Sequence, residues 1–111
     1  MVESQDAIRE SLSRLSGSAR RLLDYAVVLE GGARYEVLRH TARLTEADMI
    51  DDLREVVEAG ILVAQEGRPN HYDFTNDEWR EVVLADAGEH RLPKLRARAE
   101  GARRRAEGRD G

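Results

Sequence analysis

A helix followed directly by a short hairpin is the best-defined element of this sequence, and it spans residues 45–74. The helix begins with Thr45-Glu46-Ala47-Asp48, which has the form of a capping box with Asp in place of the usual Glu or Gln. Apolar residues then recur at helical spacing, at Met49, Leu53, Val56 and Val57. Gly60 is expected to end the helix. Residues 61–64 and 71–74 predict two β-strands, and residues 66–70 have the composition of a turn.

Further helices are predicted on both sides of this unit. An amphipathic lead covers residues 4–15, and the next helix is capped by Ser16 or Ser18 and stopped by Gly31-Gly32. A short helix covers residues 35–42. After the hairpin, Thr75, Asn76 or Asp77 caps a fourth helix that Gly88 ends. This order predicts a mainly α fold of the winged helix-turn-helix type, with three helices, a short β-hairpin wing and a fourth helix, over residues 1–88.

Residues 89–111 predict a basic helical tail that is distinct from this body. An apolar seam steps by three and four residues through Leu92, Leu95, Ala99, Ala102 and Ala106. Pro93 fits only the first turn of a helix, so the tail helix is expected to start near residue 91 or 92. Alanine buries little area, and an isolated helix of this kind is expected to fray beyond Ala102. The seam is compatible with a homodimer or with packing on the chain's own body.

The charge of the chain is divided between these two parts. The 111 residues carry a net charge of −4, but residues 1–90 hold 10 Lys/Arg against 19 Asp/Glu, and residues 91–111 hold 8 against 3. Such asymmetry indicates that the two parts meet different partners or meet each other. A length of 111 residues fits one domain with a modest core.

Several classes of protein are excluded on composition. There is no cysteine, no apolar run of the roughly 20 residues that a membrane span needs, and the first residues are acidic and polar, unlike a signal peptide. We therefore expect a cytoplasmic protein without a membrane partner. The P-loop pattern is missing, the three histidines have no metal-ligand spacing, and no carboxylate lies in an apolar setting. We expect no enzyme activity, no metal and no cofactor.

The helix at 45–60 is the most informative segment for function. In a DNA-reading winged helix this element enters the major groove and presents basic and amide side chains. Here Arg54 is its only basic residue, against six carboxylates at Glu46, Asp48, Asp51, Asp52, Glu55 and Glu58. DNA phosphates would be repelled by this helix. The acidic helix and the basic tail instead suggest protein docking, with candidates at Asp48, Asp51, Asp52, Glu55, Arg91, Arg96, Arg98 and Arg103.

An alternative use of the fold is DNA binding through other basic residues. The short helix, the wing and the tail supply the candidates Arg39, Arg43, Arg68, Arg103, Arg104 and Arg105. The tail is the first place where nucleic acid would be sought. An Arg-rich exposed helix that packs on the acidic body or on a neighbour explains the same residues equally well.

Short motifs in residues 12–86 resemble a known family. They include Leu15-Ser16-Gly17-Ser18-Ala19-Arg20-Arg21-Leu22-Leu23, Ala59-Gly60-Ile61-Leu62-Val63, Tyr72-Asp73-Phe74-Thr75 and Trp79-Arg80-Glu81-Val82-Val83. The pattern is similar to the winged-helix domain that follows the P-loop ATPase core in bacterial STAND-type signalling ATPases, including large LuxR-type transcriptional regulators. The resemblance implies a regulatory module of signal transduction that packs on a nucleotide-binding core and leaves DNA binding to another domain. Asn76 stands where many relatives have histidine, so nucleotide sensing is not carried over.

The leading hypothesis from sequence is therefore a non-catalytic, protein-interacting winged helix, and the second is a DNA-binding transcriptional regulator. The expected partner is a larger ATPase or regulator, or another subunit of an assembly. Because the ATPase core is absent from the sequence, the chain is expected to be an excised domain, a stand-alone descendant or one subunit.

Overall fold

The computed structural model describes residues 5–29 and 32–110, with the side chains of Glu89 and of residues 107–110 left out of the description. Helices dominate, and a three-stranded antiparallel sheet accompanies them, so the mainly helical class is confirmed. The helices are α1 (Gln5–Ser13), α2 (Gly17–Val27), α3 (Tyr35–Ala42), α4 (Glu46–Glu58) and α5 (Asp77–Asp110), and the strands are β1 (Ala33–Arg34), β2 (Leu62–Ala64) and β3 (His71–Phe74).

Side-chain caps fix where the helices begin. Of the two predicted serines, Ser16 is the N-cap of α2, and its hydroxyl accepts the Ala19 N–H at 3.1 Å. Asn76 takes the same role for α5 by accepting the Trp79 N–H at 3.1 Å. Each cap satisfies a donor of the first turn that has no partner inside the helix.

The end of α2 differs from the expectation. The helix ends at Val27, and Leu29 lies beyond this end but stays buried. Gly31, half of the predicted stop, lies outside the described residues, and Gly32 has a φ of 108°. A turn at Val28 and Leu29 therefore ends the helix, and the glycine pair comes later in the sequence.

The sheet contains one strand more than the sequence predicted. The hairpin of β2 and β3 is confirmed, with Leu62 paired to Phe74 and Ala64 to Tyr72. Its turn places Gly67 and Asn70 at positive φ, as turn chemistry requires. The strand order is β1-β3-β2, and β1 pairs with β3 through only two residues, next to a glycine. So short a segment gives no alternating pattern, which is why it was missed.

Helix α5 contains a break at the position that the sequence predicted, but the helix resumes after the break sooner than expected. Gly88 has φ 77° and ψ 159°, a conformation that is nearly restricted to glycine, and it separates residues 77–87 from the tail. The helix continues immediately afterwards instead of restarting at residue 91 or 92. Pro93 consequently lies inside the helix, close to its new start.

The tail packs on the body of the same chain. Ala99, Ala102 and Ala106 belong to the same hydrophobic core as residues of α1, α2, α3 and α4, and Leu95 is buried beside them. Because the seam faces the body, the helix runs to Asp110, beyond the residue where an isolated helix was expected to fray. Of the two arrangements left open by the sequence, the single chain adopts the packing on its own body.

Candidate protein-interaction surface

Helix α4 lies at the centre of the predicted docking surface, and its first turn is built as the sequence indicated. Thr45 is the N-cap, and its hydroxyl accepts the Asp48 N–H at 3.2 Å. The helix closes through Ala59, and Gly60 follows with a φ of 77°. Glu46 and Asp48 in the first turn favour this helix, because carboxylates complement the positive end of a helix dipole.

The carboxylates of α4 divide into two sets that face different ways. Asp52 is buried at 7% exposure and accepts a short hydrogen bond from the Ser18 hydroxyl. Glu55 is half-buried, and its Oε2 accepts the Ser16 N–H at 2.7 Å. Both therefore bind the first turn of α2, where a negative charge is stabilised by the helix dipole. Asp52 differs from the sequence expectation, because it lies inside the molecule and not on an exposed docking face.

The second set of carboxylates is exposed to solvent. It comprises Glu46, Asp48, Asp51 and Glu58. Residues three or four positions apart lie next to each other on the surface of a helix. Glu46 is therefore next to Ile50, and both Asp51 and Glu58 are next to Arg54. Asp48 lies on the same side of the helix as Asp52, away from Ile50 and Arg54. Exposed acidic side chains thus lie at the N-terminal end and along one edge of the outward face of α4.

An apolar groove lies along that outward face, between α4 and the sheet. Its volume is about 420 Å³, and it is lined by Tyr35, Ile50, Leu53, Arg54, Val57, Ala64 and Tyr72. Among the described residues that line it, Arg54 is the only one with a formal charge. The pKa of Tyr35 is raised, first by partial burial and then by the nearby carboxylate of Glu46. Both causes disfavour a phenolate, and the second reports negative charge beside the groove.

Sequence reasoning found the helix but not the groove. The apolar spacing of the helix predicts Val57 on the core face, whereas Val57 is 39% exposed and its neighbour Ile50 is 49% exposed. The signal lies in the helical spacing of Ile50, Arg54 and Val57, which places two apolar residues on a face beside the buried residues Met49, Leu53 and Val56. Ile50 and Val57 therefore lie outside the core and remain exposed.

The basic tail is joined to the body by an ion-pair network centred on Asp24. This carboxylate is 3% exposed, and it lies 2.8 Å from Arg20 Nη1 and 3.1 Å from Arg91 Nη2. Arg20 also reaches Asp86 at 3.4 Å, and Asp86 is 3.5 Å from Arg9. The network thus connects α1, α2 and both parts of α5. The expectation that no carboxylate lies in an apolar setting is wrong for Asp24, which is buried among the apolar residues of α2, four residues after Arg20.

Arg98 is the second tail residue held by the body. Its guanidinium lies over the Tyr25 ring at 5.0 Å from the centroid, and its Nη1 donates to the Tyr25 hydroxyl at 3.1 Å. A cation over an aromatic face is attracted by the ring quadrupole. Arg91 and Arg98, both predicted as docking residues for a partner, therefore contact the chain's own α2.

The remaining tail arginines point to solvent. Arg96 and Arg103 are exposed and line a polar cavity of about 450 Å³ with Val28, Leu29, Ala99 and Glu100. Arg104 lies 3.4 Å from Glu100 in the same helix, and Arg105 is exposed. The structure thus separates the predicted tail residues into a body-facing pair and an outward-facing group.

The other nucleic-acid candidates are spread over the body. Arg39 closes the α3–α4 connection, because it donates to the Leu44 carbonyl at 3.3 Å and to Glu36 at 3.2 Å. Arg43 is exposed and adopts the left-handed conformation at the end of α3, with a φ of 57°. Arg68, in the hairpin turn, donates to Gln65 at 3.4 Å. Arg39 and Arg43 thus lie in and after α3 and Arg68 lies in the hairpin turn, on other elements than the tail arginines.

Metal ligands are not clustered in the part of the chain that the structure describes, where no group of three His, Asp or Glu side chains could hold an ion. Within the same residues, none of the helices combines the length and the apolar character required to cross a membrane. No family model, curated protein or solved structure matches the chain.

Proposed function

We propose that this chain is a non-catalytic regulatory module of the winged-helix type that binds another protein through the outward face of α4. The order of elements supports the winged-helix interpretation, since α3 and α4 are joined by a tight turn and are followed by the hairpin of β2 and β3 and by α5. The third strand, β1, extends the hairpin into a small sheet next to α3. In this interpretation α4 occupies the position of the recognition helix and the hairpin that of the wing.

The observation that carries the proposal is the chemistry of the outward face of α4. A helix that reads DNA needs cations toward phosphates and polar side chains toward base edges. This face instead offers exposed Ile50 and Val57, with carboxylates at its N-terminal end and along one edge. Exposed apolar side chains with a polar rim are typical of protein–protein interfaces.

In this proposal, some arginines of the tail hold it on the body and others are available to a partner. Arg91 and Arg98 hold the tail on the body, because both contact residues of α2. Arg96 and Arg103 remain available as a cationic surface for a partner with negative charge. The acidic face of α4 and these two arginines are therefore docking surfaces of opposite sign on one module.

The resemblance of residues 12–86 to the winged-helix domains of STAND-type ATPases suggests the kind of partner. We propose a larger cytoplasmic ATPase or regulator, or another subunit of the same assembly, as the protein that this module contacts. In that role the module transmits a signal by its position on the partner and needs no catalytic residue of its own.

A test of this proposal uses a photo-crosslinking amino acid in the full chain, expressed in its native cell. With the probe at residue 50 we expect a defined crosslink to another protein. The probe at residue 63 is a matched control, because Val63 is 47% exposed, close to the 49% of Ile50, and lies outside the groove. Crosslinks of equal yield from both positions, or no protein crosslink from residue 50, would contradict protein docking at α4.

DNA binding through the tail is the second candidate function, and one observation favours it. Arg103, Arg104 and Arg105 form an exposed cationic run on the outer side of the tail. An anisotropy titration with random duplex at low salt tests this candidate. Binding that weakens steeply with salt and is lost in a variant with Gln at these three positions would support it. No binding at micromolar protein would exclude it.

A further inference from the structure

We propose that the groove between α4 and the sheet binds a cationic amphipathic helix of the partner protein. The inference rests on the proposed protein-docking function and names the chemistry of the segment that is bound. It is carried by three properties of the groove, namely its apolar lining, the charge of its rim and the length of its helical wall.

The apolar lining of the groove is only partly covered by the chain's own residues, so it can receive apolar side chains of another molecule. Leu53 is buried at its base, but Ile50 and Val57 on its wall keep 49% and 39% of their surface in contact with solvent. The opposite wall consists of Ala64, Tyr72 and Tyr35. Covering this surface removes apolar area from water, which favours association.

The rim selects the charge of the ligand. Glu46 is exposed at the N-terminal end of the face formed by Ile50 and Val57. Asp51 and Glu58 are exposed along one edge of that face, beside Arg54, which is the charged residue of the lining. Partial burial is the main cause of the raised pKa of Tyr35; the carboxylate of Glu46 raises this pKa further, and Arg39 lowers it. A ligand with Lys or Arg beside its apolar residues is attracted, and an acidic ligand is repelled.

The geometry of the wall favours a helix as the bound element. Helix α4 has 13 residues, which corresponds to a length of about 20 Å. A groove walled by a straight helix matches a partner helix that inserts apolar residues at positions i, i+3 or i+4, and i+7. Strand addition at β2 offers less, because this edge strand has only 3 residues.

The probe for the test is a labelled synthetic peptide of about 18 residues, with Leu on one helical face and Lys on the other. A second peptide keeps every Leu and has Glu in place of Lys. Fluorescence anisotropy with the full chain at low salt should show binding of the Lys peptide and at least tenfold weaker binding of the Glu peptide, a difference of about 1.4 kcal/mol. Equal binding of the two peptides, or none of the Lys peptide below about 100 μM, would overturn the inference.

Variants separate the groove from general attraction to an acidic protein. Ile50→Ser and Val57→Ser should each weaken the Lys peptide about tenfold, since each removes a contact from the centre of the groove. Val63→Ser should leave the affinity unchanged, because alternation along β2 places Val63 on the face opposite to Ala64. A triple variant should bind the Lys peptide more weakly than the parent at low salt and equally well at high salt. It combines Glu46→Gln, Asp51→Asn and Glu58→Gln.

The remaining outcomes distinguish failure of this inference from failure of the proposed function. If the chain alone forms dimers that Ile50→Ser abolishes, the groove belongs to a second copy and the inference is overturned. If residue 50 crosslinks to a protein in cells but the Ser variants bind the Lys peptide normally, protein docking stands and the cationic helix is rejected. Absence of both the crosslink and peptide binding would reject the two together.

Discussion

The guanidinium of Arg91 in the tail lies 3.1 Å from the carboxylate of Asp24 in α2, and only the carboxylate is buried. Arg91 retains 54% exposure of its side chain, against 5% for Asp24. The pair therefore joins a solvated cation to a buried anion that Arg20 also contacts. This contact bears on the role of the basic tail, because the sequence left open a partner or the chain's own body, and Arg91 contacts the body.

Asp24→Asn should destabilise the chain more than Arg91→Gln does. The first change removes a buried negative charge and replaces one of the two oxygens that Arg20 and Arg91 contact by an NH2 donor, with an expected loss of about 2 kcal/mol. The second leaves Asp24 paired to Arg20 and removes a half-exposed contact, with an expected loss of about 0.5 kcal/mol. Urea unfolding of the two variants measures the difference. Equal losses would show that the network is not centred on Asp24.

Gly88→Ala and Gly101→Ala should change stability in opposite directions. Gly88 has positive φ, so a side chain there costs about 1–3 kcal/mol even though the space around it is open. Gly101 is helical, and an added Cβ meets only Arg105 Nη2 at 3.8 Å, so alanine should stabilise by about 0.5–1 kcal/mol. Thermal unfolding compares them. A stabilising Gly88→Ala would indicate a continuous helix without the break.

Ala102→Gln should destabilise the chain by about 2 kcal/mol, because Ala102 is 2% exposed and a larger polar side chain does not fit the interface. Its exposed neighbour provides the control, since Arg103→Gln should stay within about 0.5 kcal/mol of the parent. Circular dichroism during urea titration reports both. Similar values for the two variants would mean that the tail helix is not packed on the body.

Asp52→Ala and Asp51→Ala should separate the two sets of carboxylates on α4. Both exchange Asp for Ala in one helix, so the change in helix propensity is shared. Asp52→Ala also removes the acceptor of the Ser18 hydroxyl, which should cost about 1–2 kcal/mol. Asp51→Ala should stabilise the chain slightly, by up to about 0.7 kcal/mol, and weaken binding of the Lys peptide. Loss of stability in the Asp51 variant alone would reverse this assignment.

Local signals in the sequence were sufficient for much of the fold. Thr45, Ser16 and Asn76 are caps because each carries a short polar side chain before an apolar helical pattern, and the hairpin turn follows from its glycine and asparagine. The two-residue strand β1 gave no signal, because pairing with β3 is a tertiary event.

The candidate site was predictable only in part, since its features depend on which face of each helix is covered. Six carboxylates on one helix are visible in the sequence. That Asp51 is exposed and Asp52 is buried follows from the position of α2 beside α4. The body-facing role of Arg98 likewise depends on Tyr25, 73 residues away along the chain. Spacing assigns residues to a helix face, and only packing decides what that face meets.

The central claim, that the outward face of α4 receives a protein segment, is tested most directly by nuclear magnetic resonance of the full, isotope-labelled chain titrated with the Lys peptide. We predict that the largest amide shift changes fall at the groove residues Ile50, Leu53, Arg54, Val57, Ala64 and Tyr72, with little change in residues 91–105. Shift changes concentrated in the tail or in the hairpin turn, with the α4 amides unaffected, would contradict the account.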